Sequence, residues 1–471
     1  MAVKLLCIVS DLKNDLSVNT YSVWKGGEVT GAHTNEAPVR ALLRTAGQAH
    51  RPVEEVLMLA TDVAMESKSY TVGDKPAQGT AQQYLENSIA EFCRQDGLPL
   101  CPRTTVIRCQ FDRFDRCLSG LLAHVNSGDE VYIDTTGGQR DAANWLVLSM
   151  QVLKYAKVNI GCIAYSVYDR QNSKKNRVED KTSQYRGLDL MQAVEEFTAC
   201  GRAEKLAAFF KNSRSETVKQ LCAQMKNFTD TLAMCRTREM AEKICAIQNG
   251  MRQLKNEPAA RMGANEQLFL AMLPLLEQNF ITQEAAGPQQ TQELIHWCCN
   301  AGLGMPALAL FRENFPDMLA DAGLLYPSEE LKRALLDTPK KRDNPNTITL
   351  EMVLFENTLE DLRWNTKKTV QEQTLQHPLA VVEQLNRANG AAIVTTLEEN
   401  ELCRMLCYYH FLRAMRNTAM HAGGRADRLF PFETRELALP ARLEDVGSST
   451  VCNAINAVLN LLENARIRRR K

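Results

Sequence analysis

The sequence predicts an α/β N-terminal domain, a parallel sheet with helices on both faces, followed by an all-α C-terminal region. Three observations predict it. Short apolar runs alternate with helical stretches over residues 1–165. A polar, aperiodic segment follows, and apolar residues then recur at helical spacing through most of the remaining chain.

The elements follow in order. Lys4–Val9 is a buried-strand pattern ending at Ser10-Asp11, too short and too soon interrupted by charge to be a signal peptide. Val56–Ala60 repeats it and ends at Thr61-Asp62, and Thr104–Cys109 gives a third strand. Glu130–Asp134 runs into Thr135-Thr136-Gly137-Gly138, and Val158–Tyr165 is the fifth. Asp141–Tyr155 reads as a helix with Trp145, Leu146, Leu148 and Val152 on its apolar side. Strand and helix in alternation give a Rossmann-like sheet. The polar stretch Asp169–Gly187 closes a domain of residues 1–187. Leu190, Met191, Val194, Phe197, Leu206, Phe209 and Phe210, then Leu268, Leu273 and Leu276, make 188–337 a helical connecting region. Thr338–Pro345 is a second break, before a helical domain of 338–471.

Composition narrows the function. The 471 residues include 56 basic and 56 acidic side chains. A protein that coats duplex nucleic acid usually carries a basic excess, so DNA is not expected as a partner and any RNA contact is confined to a cleft. The basic run Arg466–Lys471 reads as a solvated, disordered tail. None of the fifteen cysteines forms a Cys-x2-Cys pair, which suits reduced thiols in the cytoplasm. Cys403, Cys407 and His410, and His296, Cys298 and Cys299, come nearest to a metal constellation, but an interior helix stripe explains them as well, and no metal is expected. No apolar run is long enough to span a membrane.

Ligands of parallel α/β sheets bind beyond the carboxyl ends of the strands. Ser10, Asp11, Thr61, Asp62, Thr135 and Thr136 fall there, with Gly137, Gly138, Gln139 and Arg140 at a strand-to-helix turn. The glycines let the backbone approach a phosphate, and Gln139 and Arg140 add donors at a helix start. The spacing is neither Gly-x-Gly-x-x-Gly nor Gly-x4-Gly-Lys-[Ser/Thr], so ordinary NAD and ATP enzymes are disfavoured.

The second candidate site is Arg416, Asn417 and His421. Leu402, Leu406, Tyr409 and Leu412 mark a helix running into it, with Thr396 and Glu399 as a capping box, and Gly423-Gly424 close it. Asn417 and His421 are four apart and share a face, whereas Arg416 and His421 lie roughly 140° apart around the axis. A guanidinium holds a phosphate by two parallel charge-assisted bonds, and an imidazole near a helix end transfers protons near neutral pH. Together they suit RNA cleavage by the strand's own 2′-hydroxyl, without metal. One copy supplies too few groups for an acid and a base, so two copies across a two-fold axis complete the site.

Arg416-Asn417-x3-His421 resembles the signature of HEPN-domain ribonucleases. Asp134-Thr135-Thr136-Gly137-Gly138-Gln139-Arg140 resembles the Asp/Asn-x-Thr-Gly-Gly-x-Lys/Arg motif of CARF domains, the cyclic oligoadenylate sensors of type III CRISPR systems. Some CARF branches carry Thr-His-Gly here, so Gly137 leaves the ring size of the activator open. The order and length resemble the CARF-HEPN ribonucleases. That resemblance implies a homodimeric endoribonuclease that cuts single-stranded RNA when cyclic oligoadenylate binds, with no organic cofactor. It assigns Arg416, Asn417 and His421 to catalysis and the glycine turn to the ligand, while Ser10, Asp11, Thr61 and Asp62 follow only from their places at strand ends. A non-catalytic nucleotide-sensing regulator, or a sensor that also degrades its cyclic ligand, are the alternative readings.

Overall fold

In the computed structural model the five apolar runs of the N-terminal half lie side by side as parallel strands, in the order Asn159–Val167, Glu130–Asp134, Val3–Ile8, Glu55–Ala60 and Arg103–Arg108. The structure describes residues 1–110, 113–138, 140–279, 288–339, 344–366, 368–420, 437, 439 and 446–470. It divides into two compact units, Met1–Gly187 and Leu188–Lys471.

The first unit owes its layers to the two-residue period of a strand. Leu5, Cys7, Val56 and Met58 face one way and pack with Val39, Leu42, Leu85 and Ile89 of helices Glu36–Gln48 and Ala81–Gln95. Leu6, Ile8, Leu57, Leu59 and Ile133 face the other way, onto Leu121, Trp145, Leu146, Met150 and Leu153 of helices Phe114–Leu122 and Arg140–Tyr155. Burial on both faces is why these strands read as unbroken apolar runs. The expected place of Leu148 on the apolar side is corrected: it is 53 % exposed. Two residues beyond Leu146, it is turned about 200° away from the buried stripe.

Three further strands extend the sheet to eight. Arg177–Asp180 runs antiparallel to Asn159–Val167 and parallel to Asn19–Val23, which pairs antiparallel with Glu28–Gly31. They make the sheet mixed rather than purely parallel. Arg177–Asp180 lies in the stretch read as aperiodic; it is short and charged, and its partners are distant in sequence. The expectation of reduced thiols is corrected at one pair, since Cys109 and Cys117 form a disulfide.

The second unit is helical. A single core runs from Leu190 to Ala465 and takes in side chains from both sides of residue 338. Within it, helix Glu399–Met420 packs on Ser448–Arg470 and on Gly304–Asp321. Leu402, Leu406, Tyr409 and Leu412 are all buried, as their spacing predicts. Met191, assigned to the apolar periodicity, is 44 % exposed.

Two local expectations change. The expected capping box of Thr396 and Glu399 does not form; at the helix start the Glu401 carboxylate accepts the Glu398 N–H at 3.2 Å. The Thr396 hydroxyl is drawn away to donate to the Gly323 carbonyl at 3.0 Å. Arg466–Arg470 of the basic run are the end of helix Ser448–Arg470 rather than a loose tail, and Lys471 lies outside the described residues. Arg468 pairs with Glu398 and Glu401, and Arg469 donates to the Ala322 carbonyl at 2.6 Å. Among the described residues no helix is long and apolar enough to cross a membrane.

Candidate functional site

The register of the central strands places Cys7 opposite both Met58 and Asp134, and Asp134 opposite Ala164. Ser10, Thr61 and the Thr135–Gly138 turn therefore leave the sheet along one edge, and the chain enters helix Arg140–Tyr155 directly afterwards.

That edge is tied together by a residue sequence reasoning missed. Asn35, fully buried just before helix Glu36–Gln48, donates from Nδ2 to the Ile8 carbonyl at 2.9 Å and to the Asp134 carboxylate at 2.7 Å. Its Oδ1 accepts the Ser10 N–H at 2.9 Å. The Ile8 carbonyl can only accept and the Ser10 N–H can only donate, so the amide has one orientation. Asp134 also accepts the Thr136 N–H at 2.8 Å. Burial raises its carboxyl to about 6, against the opposing pull of the Thr136 N–H and the Asn35 amide.

His33, likewise buried and likewise missed, contributes a second tie. Its Nε2 lies 3.0 Å from the Ser10 carbonyl, and Nδ1 accepts the Asn35 N–H at 3.4 Å. Those partners select the neutral tautomer protonated on Nε2, and burial lowers the imidazole pKa in the same sense. Glu36 accepts the His33 N–H at 2.7 Å and the Ser88 hydroxyl at 2.7 Å. The available signal was the polar cluster His33-Thr34-Asn35-Glu36 at the head of an apolar helix.

The expected residues sort by what their polar atoms already do. The Thr135 hydroxyl donates to the Ala164 carbonyl at 2.9 Å and is committed to the fold. The Ser10 Oγ accepts the Gly138 N–H at 3.0 Å, and the Thr136 Oγ1 accepts the Ser166 N–H at 2.8 Å. As an acceptor, the Ser10 hydroxyl keeps an O–H to donate, whereas the Thr136 hydroxyl also bonds the Asp134 carboxylate. Thr61 receives the Ala64 N–H at 3.4 Å, and Asp62 is exposed. The exposed Asp11 is paired with Lys68 at 2.7 Å. Helix Arg140–Tyr155 includes the backbone of Arg140, while Gln139 lies outside the described residues.

The two glycines serve different needs. Gly138 has φ +89° and is exposed, so it supplies the left-handed turn. Gly137 was expected to make room for a phosphate, but the space a side chain would fill is occupied by the protein itself. An added Cβ would sit 2.0 Å from the Ile8 carbonyl oxygen and 2.4 Å from Asn35 Nδ2. Gly137→Ala should therefore destabilise the N-terminal unit by about 1–3 kcal/mol through overpacking. Thermal melts followed by circular dichroism would read this as a lowered midpoint; an unchanged midpoint would show that the turn yields.

In the second unit, Arg416 is half-buried in the last turns of helix Glu399–Met420, which also includes the backbone of Asn417. His421 lies outside the described residues. Among the described residues no group of three or more His, Cys, Asp or Glu side chains could hold a metal ion. His296 instead contacts Asn456 at 3.1 Å, and burial, then the Arg413 cation, lowers His410 to about 4.

Fold and edge define an α/β protein with a helical C-terminal unit, whose sheet edge is built from buried amide, carboxyl and imidazole groups and carries the Ser10 hydroxyl. No family model matches the chain, and no curated protein does.

Proposed function

We propose that the chain is a cyclic oligoadenylate-activated endoribonuclease of the CARF-HEPN kind, with a Rossmann-like sensor at residues 1–187 and the nuclease in 338–471. The observation that carries the reading is the position of Arg416. The preceding turns of its helix are anchored by the buried Leu402, Leu406, Tyr409 and Leu412, and Arg416, four residues beyond Leu412 on the same stripe, stays partly accessible near the helix end. A rigid support of this kind suits a cation that must meet a phosphate without reorganising.

In the proposed reaction a ribose 2′-oxygen attacks the adjacent phosphorus, and the bond to the 5′-oxygen of the next nucleotide breaks. The products are a 2′,3′-cyclic phosphate and a 5′-hydroxyl, and no outside nucleophile is consumed. Arg416 neutralises the charge that builds on the non-bridging oxygens. His421 takes the 2′-hydroxyl proton, and its counterpart across a homodimer axis protonates the leaving oxygen. Asn417 positions the phosphate. The ligand is assigned to the sheet edge, where Ser10 and Arg140 serve as donors. Its binding must favour the active dimer by differential affinity, since equal affinity for both states would switch nothing.

The test is cleavage of a fluorogenic single-stranded RNA in EDTA, with cyclic tri-, tetra- or hexa-adenylate, beside His421→Ala. Cleavage with one ring only, absent in the variant, is the expected result. Silence with every ring would replace this reading with a non-catalytic regulator.

A further inference from the structure

One helical turn before Arg416, three helices bring two guanidiniums to a single carboxylate oxygen. Arg312 of helix Gly304–Asp321 donates from Nη2 to Glu351 Oε1 at 3.1 Å, and Arg413 of helix Glu399–Met420 donates from Nε to the same atom at 3.2 Å. Glu351 lies on helix Pro345–Phe355, begun by the Asn344 side chain and Pro345. The three side chains are 19 %, 25 % and 13 % exposed, so the cluster is largely desolvated yet open at its edge. Two cations on one oxygen leave positive charge that Glu351 alone does not balance.

Unused donors in the cluster point the same way. Tyr409 is fully buried, and its hydroxyl has no hydrogen-bond partner among the described residues. Arg312 lies over the Tyr409 ring at 5.7 Å, and its Nε is also buried without a partner there. The phenol is close enough to feel the charges of Arg312, Glu351 and Arg413. A buried donor left without an acceptor costs about 1–3 kcal/mol. The buried Tyr409 hydroxyl and Arg312 Nε, both without an acceptor among the described residues, leave donors for a second anion beside Glu351, and a guanidinium fork is matched to phosphate geometry.

We propose that Arg312, Arg413 and Tyr409 form a binding site for a phosphate group, occupied by a phosphodiester of the substrate RNA next to the one held by Arg416. The assignment to RNA rests on the nuclease reading; the phosphate site itself does not. Its role is to position the strand, so that the ribose entering the reaction is fixed by contacts on both sides of the scissile bond.

The experiment uses the full chain and two probes. With inorganic phosphate, the wild-type melting midpoint should rise relative to chloride of equal ionic strength, because the anion binds only the folded state. Tyr409→Phe removes one oxygen that makes no bond, so the variant should fold normally and lose most of that rise; Arg413→Gln should lose it entirely. With a non-cleavable 2′-O-methyl single-stranded RNA, Arg413→Gln should bind about tenfold more weakly. Its plot of log affinity against log salt should be shallower by about 0.7, the loss of one phosphate contact on a single strand. No rise with phosphate, or an equal rise in wild type and both variants, overturns the site. A phosphate effect without any change in RNA binding overturns the assignment to the RNA strand. Arg416→Ala, run alongside, separates the readings: if it still cleaves, the nuclease reading fails while the phosphate result stands independently.

Discussion

Arg416→Ala is expected to lower ring-activated RNA cleavage by at least about 10²–10³-fold, the range for removing one preorganised donor from a developing oxyanion. Arg416 is only half-buried, in the last turns of a helix whose preceding turns are already anchored in the core, so the substitution should leave the fold alone. Arg416→Lys should recover only part of the rate, because an ammonium keeps the charge but not the planar, two-pronged geometry. Cyclic oligoadenylate binding, measured by calorimetry, should be unchanged in both variants, since the ligand is assigned to the N-terminal sheet edge. If Arg416→Ala abolished ligand binding, the proposed separation of sensor and nuclease would not hold.

Asn35→Leu should cost about 3 kcal/mol or more. The substitution leaves the Ser10 N–H, the Ile8 carbonyl and one Asp134 oxygen without their buried partner, and each stranded group costs about 1–3 kcal/mol. The loss should also depend on pH. Folded Asp134 titrates near 6, above its ordinary 3.8, because burial opposes its charge. Between those values the folded chain holds a proton that the unfolded chain has released, so this group's contribution to stability falls as pH rises from about 4 to 6. The Asn35 amide stabilises the ionised form, and removing it raises the folded pKa further, carrying the fall to higher pH. Urea unfolding of wild type and variant at pH 5 and 7.5 should show the larger difference at pH 7.5. Equal differences at both pH values would mean that Asp134 is not the partner that matters.

Val3–Ile8, Glu55–Ala60 and Glu130–Asp134 were readable because both sides of each are buried, which writes burial into the sequence as an apolar run: Glu130–Asp134 occupies the expected residues, and Val3–Ile8 begins and ends one residue earlier than expected. The helix bearing Arg416 was readable from the helical spacing of Leu402, Leu406, Tyr409 and Leu412, although Met405, Cys407, Tyr408, Phe411 and Met415 on its other sides are buried as well. Leu148 shows the limit of such patterns, because hydrophobicity does not say which apolar residues of a short helix find the core.

What the sequence by itself determined was therefore the alternation of strand and helix, the place of the glycine turn at a strand end, and the presence of Arg416 on a long helix. Only the tertiary structure decided that Asn35 and His33 bind the sheet edge together. Only it decided that Gly137 yields its space to the Ile8 carbonyl, and that Arg312, Glu351 and Arg413 meet. The physical reason is range. Periodicity reports how each residue meets its local surroundings, whereas a hydrogen bond from Asn35 to Asp134 or from Arg413 to Glu351 joins residues with no mark in sequence of the partner each will meet.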